Sequence, residues 1–187
     1  MKIYKRQLAL LACLVLFNSC SKEERLFSEL EDARREPETA RAIATELSKT
    51  PEGVELAIAD MSIFGGKTRG WSSWILTKSD LNTLVEGRLK KIVGDPSFTT
   101  EKRLEAANIL WYRTKDVSYL EVVFVMVQPA GNLETEWGRR ALSTAIAPED
   151  ITKAITVPAS EPISLSLEKF RELLRDPRNL RIPTNEQ

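Results

Sequence analysis

From residue 26 onward, apolar side chains recur at three- and four-residue intervals in short segments, each closed by proline or glycine. That period lines them up on one stripe of an α-helix. Leu26, Phe27, Leu30 and Ala33 form the first stripe, and Ala40, Ile43, Ala44 and Leu47 the second. Pro37 opens the second segment, where a missing N–H costs nothing because the first turn has no partner for it. Thr50-Pro51 pairs an N-cap with proline at the first helical position and leads into Val54, Leu56, Ala57, Ile58 and Met61. The second and third segments therefore predict a helical hairpin. No such helix can bury its stripe alone, so the pattern calls for an all-α fold of stacked helical hairpins.

Ser62 to Leu76 interrupts the pattern, and Gly65, Gly66 and Gly70 predict a loop there. Gly65-Gly66-Lys67-Thr68 invites comparison with a phosphate-binding loop, but Met61 stands where that motif needs glycine, and the flanking strand and helix are absent. No nucleotide is expected. Lys67, Arg69, Trp71 and Trp74 are candidate partner-binding residues, because aromatic and guanidinium side chains dominate protein hot spots. The competing reading has Trp71 and Trp74, three residues apart, plugging the loop onto the helical core.

Thr77-Lys78-Ser79-Asp80 supplies capping residues for a helix to about Val93, with Leu81, Leu84, Val85, Leu89, Ile92 and Val93 inward and Lys90-Lys91 near its C-terminal end. Gly94-Asp95-Pro96 stops it. Thr99 or Thr100 caps Glu101 to Arg113, which is followed by the apolar Val117 to Val127, a turn at Pro129 to Asn132, and a helix from Glu134 to Ile146. Tyr119 to Val127 has the β-branched composition of a buried strand. No second strand exists to receive its hydrogen bonds, so helix is expected. A short helix over Pro148 to Ile155, an extended linker over Thr156 to Ser166, a last helix over Leu167 to Arg175 and a polar tail over Asp176 to Gln187 complete the chain.

Between Pro96 and Ile155 a charged, alanine-bearing helix is followed by a more apolar one and then by the first type again, with Ala107 falling over Ala141 at a spacing of 34 residues. This alternation resembles HEAT-type helical repeats. The resemblance implies stacked pairs in which Ala106, Ala107 and Ala141 let helices approach while Arg103, Arg139 and Arg140 stay wet.

The N-terminus carries a different signal. Lys2, Lys5 and Arg6 precede the apolar run Leu8 to Phe17, and Asn18, Ser19, Cys20, Ser21, Lys22, Glu23 and Glu24 follow it. This is the order of a secretory signal peptide, and the run is too short for a hydrocarbon core that takes about 20 residues to cross. Leu16-Phe17-Asn18-Ser19-Cys20 resembles the lipobox of bacterial lipoproteins, with Phe17 where the usual pattern has leucine. The resemblance implies cleavage before Cys20, lipid attachment at Cys20 and anchorage to a membrane. Cleavage before Cys13, whose preceding Leu10-Leu11-Ala12 is closer to the motif, would leave Leu14 to Phe17 on the mature chain; ordinary cleavage after Ser21 would give a periplasmic protein. Ser21 lacks the aspartate that retains some lipoproteins in the inner membrane, and Cys20 to Glu24 resembles the acidic signals that send some lipoproteins to the cell surface. An outer-membrane address is therefore expected. The domains read as a signal peptide (1–19), lipidated cysteine and tether (20–25), helical hairpins (26–155), and linker with C-terminal helix and tail (156–187).

Composition narrows the chemistry. The chain has no histidine, which excludes a Ser-His-Asp or Cys-His nucleophile, a histidine zinc ligand and a histidine general base. Cys13 and Cys20 are the only cysteines, and neither survives as a free thiol if the signal is cut and Cys20 acylated. Losing Lys2, Lys5 and Arg6 from 27 basic residues leaves 24 against 27 acidic ones, a net charge of −3 that argues against nucleic acid. No cofactor or metal is expected. The leading expectation is a lipid-anchored, non-enzymatic binding or scaffold module for another protein at the cell envelope. A carboxylate-dependent glycan hydrolase using Glu101 and Glu105, or Glu134 and Glu136, is the alternative from another class. An immunity or exclusion lipoprotein is a third reading.

Overall fold

The computed structural model describes residues 21–181; the signal segment and the lipid-attachment prediction at Cys20 lie outside the described residues. Among the described residues there are ten α-helices and no strand beyond a lone antiparallel bridge between Ile146 and Leu180. The architecture is all-α, built from stacked helical hairpins.

Helix α1 (Lys22–Ala33) starts earlier than the apolar stripe suggests. Ser21 Oγ accepts from Glu24 N (3.0 Å) while Glu24 Oε2 accepts from Ser21 N (2.8 Å), a reciprocal cap that satisfies two orphan amides. Residues 22–25 are thus helix rather than tether, and their acids face the positive end of the helix dipole.

Helices α2 (Pro37–Leu47) and α3 (Pro51–Asp60) follow as expected, with Thr50 Oγ1 accepting from Gly53 N at 3.1 Å. Helix α4 (Trp71–Lys78) departs from the expected loop. Gly70, at φ +94°, absorbs the entry turn, and the helix then buries Ser72, Ile75 and Leu76. Thr77 and Lys78 consequently end α4 rather than cap the next helix, and α5 (Asn82–Gly94) begins without a side-chain cap.

Helix α6 (Thr100–Thr114), capped by Thr99, is followed by α7 (Ser118–Val127), so the valine-rich segment is helical. Helices α8 (Leu133–Ala145), α9 (Glu149–Ile155) and α10 (Leu167–Leu174) complete the set. Most helices pack on their chain neighbours and on the next but one: α1 on α3 on α5 in one layer, and α2 on α4 on α6 on α8 in the other, while α10 packs on α7. That two-layer pattern is how each hairpin covers the stripe of the one before it.

Two apolar cores result. The first gathers α1 to α5 around Leu30, Leu47, Ile75 and Leu89; the second gathers α7 to α10 around Phe124, Leu142, Ile155 and Phe170. Helix α6 belongs to both: Ala106, Ile109 and Leu110 face the first, Leu104, Ala107 and Trp111 the second.

Several sequence expectations change in the C-terminal half. Arg139, expected on the wet face, is 2% exposed. All five of its N–H groups reach backbone carbonyls: Nε to Val127 (3.1 Å), Nη1 to Val157 (3.0 Å) and Pro158 (2.7 Å), Nη2 to Pro129 (3.1 Å) and Glu161 (2.7 Å). Its neighbour Arg140 does lie outside, paired with Glu136 at 2.6 Å. The presumed linker is therefore clamped to the body, with Ile163 buried and its N–H donated to Gln128 O at 2.8 Å. The presumed tail is pinned as far as residue 181 by Ala147 N to Asn179 O and Arg181 N to Ala145 O, both 2.8 Å.

Helices α7 and α8 come close at Gly138. A Cβ on Gly138 would meet Val127 Cγ1 at 2.5 Å and Leu104 Cδ2 at 3.4 Å. Replacing a helical glycine by alanine gains about 1 kcal/mol of propensity. Overpacking a tight core costs about 1–3 kcal/mol. Because the clash falls on two buried side chains, Gly138→Ala should be net destabilising, read as a lower urea midpoint with an unchanged slope.

Candidate functional site

Segment 61–70 is built around one carboxylate. Asp60, the last residue of α3, accepts from Lys67 N at Oδ1 (2.8 Å) and from Thr68 N (3.3 Å), Thr68 Oγ1 (2.8 Å) and Ser72 Oγ (2.8 Å) at Oδ2. The two hydroxyls lie 2.9 Å apart and are buried. Backbone at φ +57° and contact with Asp60 both require glycine at 66, where a Cβ would sit 2.3 Å from Asp60 O. Gly65 (φ +91°), Arg69 (φ +54°) and Gly70 (φ +94°) complete the tight course, closed by Gly70 N to Gly65 O at 2.6 Å. The amides that a phosphate would need at Lys67 and Thr68 are engaged by the protein's own carboxylate.

The loop is also tied to α6. Ser62 Oγ donates to Glu101, and Ser73 Oγ donates to Glu105 Oε1 at 2.5 Å. Glu105, one of the carboxylates named for the hydrolase alternative, is 5% exposed, and its Oε2 is buried without a hydrogen-bond partner. Burial pushes its pKa up; the Ser73 bond opposes that and the charge of Glu101 adds to it. This carboxyl ties α6 to α4 through Ser73.

The four sequence-nominated residues separate into two pairs. Lys67 and Arg69 point outward; the Lys67 side chain is 76% exposed, with Nζ 3.9 Å from Glu31. Trp71 and Trp74 are half-buried against the first core, their rings edge-to-face with centroids 5.8 Å apart. Trp74 also lines a cleft of about 390 Å³. Sequence reasoning passed over Phe64, which belongs to the same loop as the two cations and is 58% exposed. Its signal was a large apolar side chain placed directly before two glycines, where no stripe could claim it.

Among the described residues no group of acids and cysteines has the arrangement of a metal site, and no helix is long and apolar enough to cross a membrane. Comparison with known protein families, with curated proteins and with solved structures finds no match to this chain.

Glu105 makes stability depend on pH. A carboxyl whose folded pKa is raised holds its proton in the folded state while the unfolded chain releases it. Its contribution is therefore full below the ordinary glutamate range and is lost as pH rises through the raised value. Glu105→Gln, which copies the neutral acid, should match wild type near pH 4 and exceed it near pH 8 in urea unfolding. Equal decline with pH in both proteins would show that Glu105 does not titrate differently on folding.

Proposed function

We propose that this chain is a lipid-anchored protein of the bacterial cell envelope, carried on Cys20, that acts as a non-enzymatic binding module for another protein. The observation that carries the reading is the 61–70 loop, which presents Phe64, Lys67 and Arg69 from a backbone fixed by Asp60 and four left-handed residues. A surface ordered before contact loses little conformational entropy on docking, and an exposed aromatic on the same loop as two cations has the make-up of a hot spot. The fitting partner is an acidic protein surface with a small apolar recess.

The address rests on the N-terminal signal and its lipobox-like end, with the outer membrane as the proposed site. The HEAT-type resemblance adds that stacked hairpins commonly display a surface to another chain. A helix beginning at Lys22 leaves Ser21 alone between it and Cys20, so a lipid there would hold the domain against the bilayer.

Two measurements test the reading. Fatty-acid labelling should mark the wild type and vanish in Cys20→Ser. Cross-linked envelope membranes should yield a specific partner with wild type that is lost in the combined Phe64→Ala, Lys67→Glu and Arg69→Glu variant. Recovery of nothing, or of the same proteins from both, would sink the docking assignment, and label retained in Cys20→Ser would sink the anchor.

A further inference from the structure

The start of α1 and the 61–70 loop stand at opposite ends of the domain. Helix α1 begins at Lys22, directly after its cap Ser21, to which Cys20 is joined. From Lys22 to Glu31 it advances about 14 Å at roughly 1.5 Å per residue. Lys67 Nζ lies 3.9 Å from Glu31, so the loop sits beside the far end of that helix. The next two helices repeat the separation. The Glu46 carboxyl, held down chiefly by its bond to Lys49, is lowered further by the charge of Lys22, which puts the last turn of α2 beside the start of α1. Helix α3 then runs from Thr50 out to Asp60, on whose carboxylate the loop is wound. Helix α4 returns, and Ser79 at its C-terminal end donates from Oγ to Ser48 O at 2.6 Å. Ser21 and the turns at 48–50 and 79–81 thus share one end, and residues 61–70 occupy the other.

A domain tethered this closely could stand on the bilayer or lie along it. A helix that lies in the interface turns an apolar face outward. Helix α1 turns Phe27, Leu30 and Ala33 into the core and leaves Arg25, Glu29 and Asp32 in water. That outward face has nothing to bury among acyl chains, and its carboxylates are repelled by anionic headgroups. Ser21 adds no slack, because its own amide and hydroxyl are held in the reciprocal cap with Glu24. The domain therefore stands on the end that carries Ser21.

Position decides what composition leaves open. An exposed aromatic with two cations suits a layer of anionic headgroups as well as it suits a protein. Phe64, Lys67 and Arg69, however, lie a helix length away from the attachment point. Given the anchor at Cys20 and the docking role of the loop, on which this rests, we propose that residues 61–70 are held clear of the bilayer. They dock an acidic protein surface in the aqueous space beyond the headgroups, and the lipid surface is not their target.

The test measures depth. The lipidated protein is reconstituted in vesicles of phosphatidylethanolamine and phosphatidylglycerol, with a nitroxide on a fraction of the headgroups. Once Cys13 leaves with the signal and Cys20 is acylated, an introduced cysteine is the sole thiol. Lys49→Cys and Lys67→Cys, both at exposed positions, then carry bimane at the near and far ends. Bimane at 49 should lose its fluorescence to the nitroxide and bimane at 67 should keep it, even as the phosphatidylglycerol fraction is raised. Quenching at 67 equal to that at 49, or quenching at 67 that grows with phosphatidylglycerol, would overturn the proposal. A photo-reactive p-benzoylphenylalanine in place of Phe64 should, in intact cells, give adducts heavier by the mass of a protein. Adducts with phospholipid alone, or none, would overturn it too. Failure of the wild type to float with the vesicles would bring down the anchor as well, whereas floating protein quenched at 67 brings down this proposal only.

Discussion

Helix α6 is the wall on which both halves of the molecule lean. Most helices in a small domain bury one stripe; this one buries Ala106, Ile109 and Leu110 on one side and Leu104, Ala107 and Trp111 on the other. Two apolar faces on one helix leave little circumference for polar groups, which is why Glu105 lies buried with only Ser73 to meet it. The same helix reaches Ser62 through Glu101 and the α4–α5 turn through Arg113. The loop and the α4–α5 turn are thus both fastened to the one element that the two cores share.

Legibility followed the locality of the cause. The capped starts at Thr50 and Thr99 are decided within three residues and were readable in the chain. So was the choice of helix for the valine-rich α7, because a strand without a partner has nowhere to place its amides. Ser21 to Glu24 is equally local, yet its acids doubled as a possible sorting signal, and the cap was passed over. Helix α4 was hidden because three glycines precede it closely; only the geometry shows that Gly70 ends the loop and starts the helix.

The misplaced charges have a different origin. Arg139 and Glu105 sit in sequences that look wet, and what buries them comes from 18 to 32 residues away: the carbonyls of Val157 and Pro158, and the hydroxyl of Ser73. No window of one helix contains that information. Of the nominated surface residues, Lys67 and Arg69 needed only exposure, which charge predicts, whereas Trp71 and Trp74 needed knowledge of which core lay beneath them. The loop's rigidity was also nonlocal in form, since Asp60 belongs to the preceding helix while the groups it gathers lie 7 to 12 residues on.

The Arg139 clamp carries a consequence for how the molecule comes apart. A single guanidinium holds the end of α7, the segment at 157–161 and its own helix α8 at once, and all five donors are engaged. Releasing the 157–161 segment leaves three buried guanidinium N–H groups without acceptors, so fraying inward from the C-terminal side is resisted at this residue. The end of α7, helix α8 and the 157–161 segment are therefore coupled through one side chain. A protease would reach these segments more readily once the Arg139 bonds are broken.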